Sequence, residues 1–225
     1  MLATIWVRRI ALALSVCGLL AWAGNACALT GERDVPRLVS FGGACVHCDL
    51  AGRKLTGAKF MGCDFAGATL VGADLRGAAF MGSNFTGADL SRADVRGASM
   101  TGARFTLANF SDAKLAGLEA AGANFMNADL TGASLDAAEL TGSNLAHVKA
   151  GGASFKDANF TGATLADGAF PGADFKDAGL LHTSLAGADL SQAHNLTQRQ
   201  VDGACSDTRT RLPPGLSGHA CGGRR

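Results

Sequence analysis

From Leu50 to Leu190 the chain repeats with a period of five. Twenty-nine positions fall on that spacing, and all but Val95, Met100, Ala120 and Ala150 hold Leu or Phe. Two residues before each large one the chain is nearly always small, mostly Ala. One residue before it stands Asp or Asn in many units, as at Asp64, Asp74, Asn84, Asp89 and Asn109. Two residues after it stands Gly in 18 of the 29 units. A helix repeats near 3.6 and a strand near two, so neither accounts for the spacing. Repetition at a fixed period predicts a solenoid in which each unit buries its apolar side against its neighbours.

Sorting the large positions by twenties shows how the units stack. One column reads Phe65, Phe85, Phe105, Phe125, then Leu145, Leu165, Leu185. Four units per turn are therefore predicted, with turns ~4.8 Å apart and Phe rings stacked with an offset. Two exceptions to the pattern are swaps. Ala120 takes a large position while Leu118 takes its small partner's place, and Ala150 and Val148 do the same. Volume is kept within each unit, which packed cores tolerate best. The period resumes unshifted at Phe125 and Phe155, so a register slip is excluded.

The pattern, small residue then Asp or Asn then Leu or Phe over about 140 residues without insertion, resembles the pentapeptide-repeat family. The resemblance implies an all-β solenoid, a right-handed quadrilateral β-helix of about seven coils. The large residue and the small one two before it point inward, and the other three point outward. Gly serves the corners, and Asp and Asn suit the turns. The predicted organisation is a signal peptide over 1–28, an N-terminal cap or lead-in over 29–47, the β-helix over 48–192, and a C-terminal cap over 193–225. In the last segment Thr197 and Gln200 stand at capping-box spacing, with Leu196, Val201 and Ala204 on one side of a short helix. The Pro- and Gly-rich tail after it is expected to be irregular.

Residues 1–28 carry Arg8 and Arg9, an apolar run from about Ile10 to Gly24, and small residues at Ala26 and Ala28. That order reads as a secretory signal cleaved after Ala28. The apolar run is shorter than the ~20 residues of a spanning helix, so no stable membrane span is expected after cleavage. Cleavage would remove Trp6 and Trp22, and the chain has no Tyr. It would also move the formal charge from +1 to −1, because Arg8 and Arg9 are the charges lost. A near-neutral chain offers no bulk electrostatic case for nucleic acid.

Candidate chemistry is sparse. Cys45-Val46-His47-Cys48 admits three readings: a structural disulfide, two buried thiols, or a redox or metal site with His47 and Cys63. An oxidising compartment favours the disulfide. A redox motif of this spacing belongs in a βαβ context, and a closed metal site wants four ligands. Cys205 and Cys221 form the second candidate pair, pinning the tail, which leaves Cys63 as a buried small residue. His47, His147, His182, His194 and His219 are scattered, so no catalytic residue, metal site or cofactor is assigned. Met61 and Met81 stack at outward positions with Ala79 nearby, a candidate partner surface. Asp74, Arg76, Asp94 and Arg96, continued by Lys156 and Lys176, form a mixed-charge column of low energetic worth.

These readings point to a non-enzymatic, exported scaffold, periplasmic or secreted, that presents a rigid surface to an unidentified protein partner. Two alternatives stand beside it. The family resemblance implies DNA-mimic gyrase binding, which the signal peptide and near-neutral charge disfavour. A periplasmic thiol or metal protein centred on Cys45 and Cys48 is the other. The resemblance also admits a homodimer formed end to end.

Overall fold

The computed structural model describes residues 39–41 and 43–221; the predicted signal peptide lies outside them. Strand β1 (Val39–Phe41) pairs in parallel with β2 (Lys59–Met61), Ser40 opposite Phe60. Beyond β2 the same offset of 20 recurs as single-residue parallel pairings, from Ala44 with Asp64 to Asp174 with His194. The chain is therefore one coil of four sides, wound close to eight times. The coil starts earlier than the five-residue pattern does. Residues 39–41 already hold the register because the ladder uses backbone groups and does not need Leu or Phe.

The residues 73–77 show why five is the unit. Ala73 N–H donates to Leu70 O at 3.0 Å, closing a turn. Asp74 N–H reaches back one coil to Arg53 O (2.9 Å), while Leu75 N–H reaches forward to Asp94 O (2.7 Å) and Gly77 N–H to Arg96 O (3.0 Å). The remaining donor, Arg76 N–H, is taken by the Asp74 carboxylate at 3.3 Å. All five backbone donors are thus satisfied, as buried backbone requires. The same side-chain bond recurs from Asp64 to Ala66, Asn84 to Thr86, Asn109 to Ser111 and Asp129 to Thr131. Asp and Asn precede the large residue because they replace a backbone acceptor that the square coil does not supply.

Each turn places its third residue in the left-handed region, the geometry of a type II turn. Every corner from Gly52 to Gly187 has φ near +60°, including the ten that are not Gly. Asp and Asn hold several of these, as their tolerance of this region allows. Arg92, Ala137 and Leu107 hold others at a steric cost.

The interior is one continuous core. Phe65 and Phe85 stack at 4.9 Å, Phe85 and Phe105 at 5.3 Å, and Phe105 and Phe125 at 4.8 Å. Rings on adjoining sides meet edge to face, as Phe80 does with Phe85 and Phe105 with Phe110. Both members of each swapped unit are buried: Leu118 with Ala120, and Val148 with Ala150. Gly168 fills the small slot beyond Val148, and a Cβ on Gly168 would lie 2.8 Å from the ring of Phe170. The buried hydroxyls also find partners: Ser83 with Phe60 O, Ser143 with Leu140 O, and Thr183 with Phe160 O. The thiol of Cys63 is buried and unbridged.

Helix α1 (Gln198–Gly203) begins at Thr197, whose side chain accepts from Gln200 N–H while Gln200 accepts from Thr197 N–H. Val201 and Ala204 are buried and Leu196 is half-buried against the last coil. After the helix the chain is largely irregular, as its composition implies, with single pairings back to the coil. Cys205 pairs with Ser184, Arg211 with Asp189, and Ala220 with Ser206. The register slips by one and then two residues because the helix interrupts the count.

Candidate functional site

The end of the solenoid is built from side chains that stand in for a missing coil. Gln200 Nε2 donates to Phe175 O (2.8 Å) and Ala178 O (2.9 Å). Thr210 Oγ1 donates to Leu185 O at 2.9 Å. Asp207 Oδ1 accepts from Gly187 N–H at 2.8 Å and from the amides of Arg209 and Thr210 at 3.0 Å each. In sequence reasoning Gln200 appeared only as a capping-box residue, and Asp207 did not appear. The three-residue spacing of Asp207 and Thr210 in "DTRT" is an Asx-type turn signal that points to such a cap.

Donors converge on Asp207, first the Gly187 amide and then Thr210 and Arg209, and they lower its carboxyl to about 2. A lowered acid stabilises the fold above its unfolded value near 3.9 and loses that contribution as pH falls through about 2. The Gly187 amide proton should therefore shift with a midpoint near pH 2 by NMR, and Asp207→Asn should abolish the transition. A midpoint near 4 would mean that the bonds are not held in solution.

The outer faces divide by side. On one, Arg76 clasps Asp74 through Nε (2.8 Å) and Nη2 (2.7 Å), and Arg96 clasps Asp94 in the same way. Arg76 holds the Asp74 carboxyl at about 2. Lys156 meets Asp174 at 3.4 Å farther along. These pairs are exposed and screened by solvent, so each adds little to stability. On the next side Met61 and Met81 stand in adjacent coils, 44% and 38% exposed, with Ala79 half-buried two residues before Met81. Leu181, 53% exposed, occupies the same outward slot five coils on from Met81. Leu107 is 63% exposed at a corner, beside Met126, whose carbonyl accepts its amide. Both leucines escaped the sequence reading, which gave the large apolar residues to the inside. Their place one or two residues after the inward position is the signal that marks them as outward.

Cys45 and Cys48 face each other across the first described turn with Cα atoms 5.2 Å apart, a spacing that suits a disulfide. Cys205 and Cys221 face each other across the tail at 4.7 Å, which suits one as well. The His47 ring rests over Gly67. His147 and His182 occupy corners, and His194 lies over Asp174 on another side. Among the described residues no group of three or more His, Cys, Asp and Glu is placed to hold a metal ion. No helix among them is long and apolar enough to cross a membrane.

Comparison with known proteins agrees with this geometry. The family model for pentapeptide repeats matches in eight copies, within residues 45–192. A solved structure of HetL, a pentapeptide repeat protein involved in heterocyst differentiation regulation from the cyanobacterium Nostoc sp. strain PCC 7120, is similar at 25% identity. It aligns over 79% of this chain and 81% of its own, with a TM-score of 0.64. QnrB1, a plasmid-mediated fluoroquinolone resistance protein, aligns at 24% identity over 74% and 88% of the two chains, with a TM-score of 0.45. No curated protein matches the sequence significantly. With its four-sided coil, five-residue unit and right-handed quadrilateral β-helix, the chain belongs to the pentapeptide-repeat family.

Proposed function

We propose that this protein is an exported, non-catalytic scaffold that offers a rigid face to a protein partner in the cell envelope. One observation carries the reading. The inward positions are spent on packing and the Asp and Asn before them on backbone donors, while Met61, Met81 and Leu181 stand exposed in one column of a flat side. Side chains engaged in holding the coil are not available for chemistry, whereas exposed Met suits an adaptable contact surface. Export rests on the order of charges and apolar residues in 1–28. Cell fractionation with intact-mass measurement tests it: an envelope or secreted form beginning at Leu29 is expected. A cytoplasmic full-length chain would refute export.

The competing reading is gyrase binding through DNA mimicry. Such a surface needs unneutralised acid, yet on the charged side Asp74, Asp94 and Asp174 each have a basic partner. The mature chain is therefore expected to leave gyrase supercoiling unchanged, and inhibition would favour the competing reading. The oxidised state of Cys45 with Cys48 belongs to this proposal as a structural element, with no turnover assigned to it.

A further inference from the structure

The C-terminal cap has two layers of different strength. The inner layer, residues 196–212, is tied by burial of Val201 and Ala204 and by the pins from Gln200, Asp207 and Thr210. The outer layer, residues 213–221, contributes no buried side chain. Its hydrogen bonds to the rest of the protein fall on Ser206 and Gln198, beside a long contact of 3.9 Å between Ser184 Oγ and Cys221 Sγ. Ser206 donates its N–H (2.8 Å) and its hydroxyl (3.2 Å) to His219 O, and its carbonyl accepts from Cys221 N–H at 3.1 Å. Gln198 exchanges two bonds with the backbone of Ser217, at 2.8 and 3.0 Å. Ser206 is buried beneath the strap, but water replaces these bonds once the strap lifts, so their net contribution is small. Ordering nine residues costs conformational entropy at each one. The Cys205–Cys221 bond, which closes 16 residues, is the contact that offsets this cost.

We infer that residues 213–221 are a redox-released strap, held on the end of the solenoid by the Cys205–Cys221 disulfide and freed by a dithiol reductant while the coils stay folded. Cys221 is exposed and Cys205 half-buried, so a thiolate of the reductant attacks the Cys221 sulfur. Cys205 leaves as thiolate and takes a proton. The reductant's second thiol then displaces Cys221, which also takes a proton, and the reductant ends as a disulfide. Release uncovers the N–H and C=O of Ser206, the outermost backbone of that side, and opens a strand edge that the strap had closed. The inner layer stays, because none of its pins involves a cysteine. The inference does not depend on the partner surface proposed above.

Hydrogen exchange read by mass spectrometry tests it on the full mature chain. Three samples are compared: oxidised wild type, wild type with dithiothreitol, and Cys221→Ser without reductant, in which Cys45 and Cys48 remain joined. Amides of Ser206 and of 215–221 should exchange roughly a hundredfold faster in the second and third samples. Leu185 and Gly187 should be unchanged in both. Equal protection of the strap in all three samples would overturn the proposal. So would loss of protection throughout the coils in Cys221→Ser. Free thiols at both Cys205 and Cys221 in protein from an oxidising compartment would overturn it as well.

Discussion

Phe105→Ala is expected to cost about 3–5 kcal/mol of stability. Phe105 is fully buried, lies between Phe85 at 5.3 Å and Phe125 at 4.8 Å, and touches Phe110 edge-on at 5.2 Å. In a globule, neighbours from several directions relax into a void. Here the coils above and below are held at the ladder spacing by their own backbone bonds, so collapse is limited and most of the cavity remains. Urea unfolding followed by far-ultraviolet circular dichroism measures the loss. Thr106→Ala, one residue on and outward, is the control and should stay within about 0.5 kcal/mol. A loss below about 1 kcal/mol for Phe105→Ala would mean that the stack is not the source of stability.

The second large effect concerns Leu118 and Ala120, whose sizes are exchanged relative to the repeat. Leu118→Ala should cost about 2–5 kcal/mol through a cavity. Ala120→Leu should cost about 1–3 kcal/mol through overpacking, because both positions are already fully buried. The double variant restores the ordinary order of the repeat at nearly constant volume and should recover most of both losses. The coupling between the two sites, read as a double-mutant cycle, should exceed about 1 kcal/mol and favour the pair. Additive losses would show that the swap is fixed by something other than volume.

The coil was legible in the sequence because its three constraints fall on fixed positions. A large residue fills the inside, a small one leaves it room, and a residue tolerating positive φ turns the corner. Val148, Ala150 and Gly168 show where that reading stopped. The sequence marked the swap at 148 and 150, but not that Gly168 in the next coil leaves room for the ring of Phe170, which only the packed interior shows. The ends were harder, because their work is done by side chains imitating backbone. Gln200 bonding to Phe175 O and Ala178 O, and Asp207 bonding to Gly187 N–H, leave no period to detect. The tail is largely irregular, as its composition implied, and the pairings of Arg211 with Asp189 and Ala220 with Ser206 were not legible because they use backbone atoms that any composition supplies. Exposure of Leu107 and Leu181 was hidden by their type, although their positions in the unit announced it.

What the fold leaves unexplained is the exposure of Met61 and Met81 in adjoining coils. Met61→Asp/Met81→Asp in the mature chain should unfold within about 1 kcal/mol of wild type, since both side chains are outward. In affinity capture from envelope extracts, the wild-type chain should retain a specific protein that the double variant loses. Capture unchanged by the two substitutions, at equal stability, would contradict the central claim that this protein acts through that face.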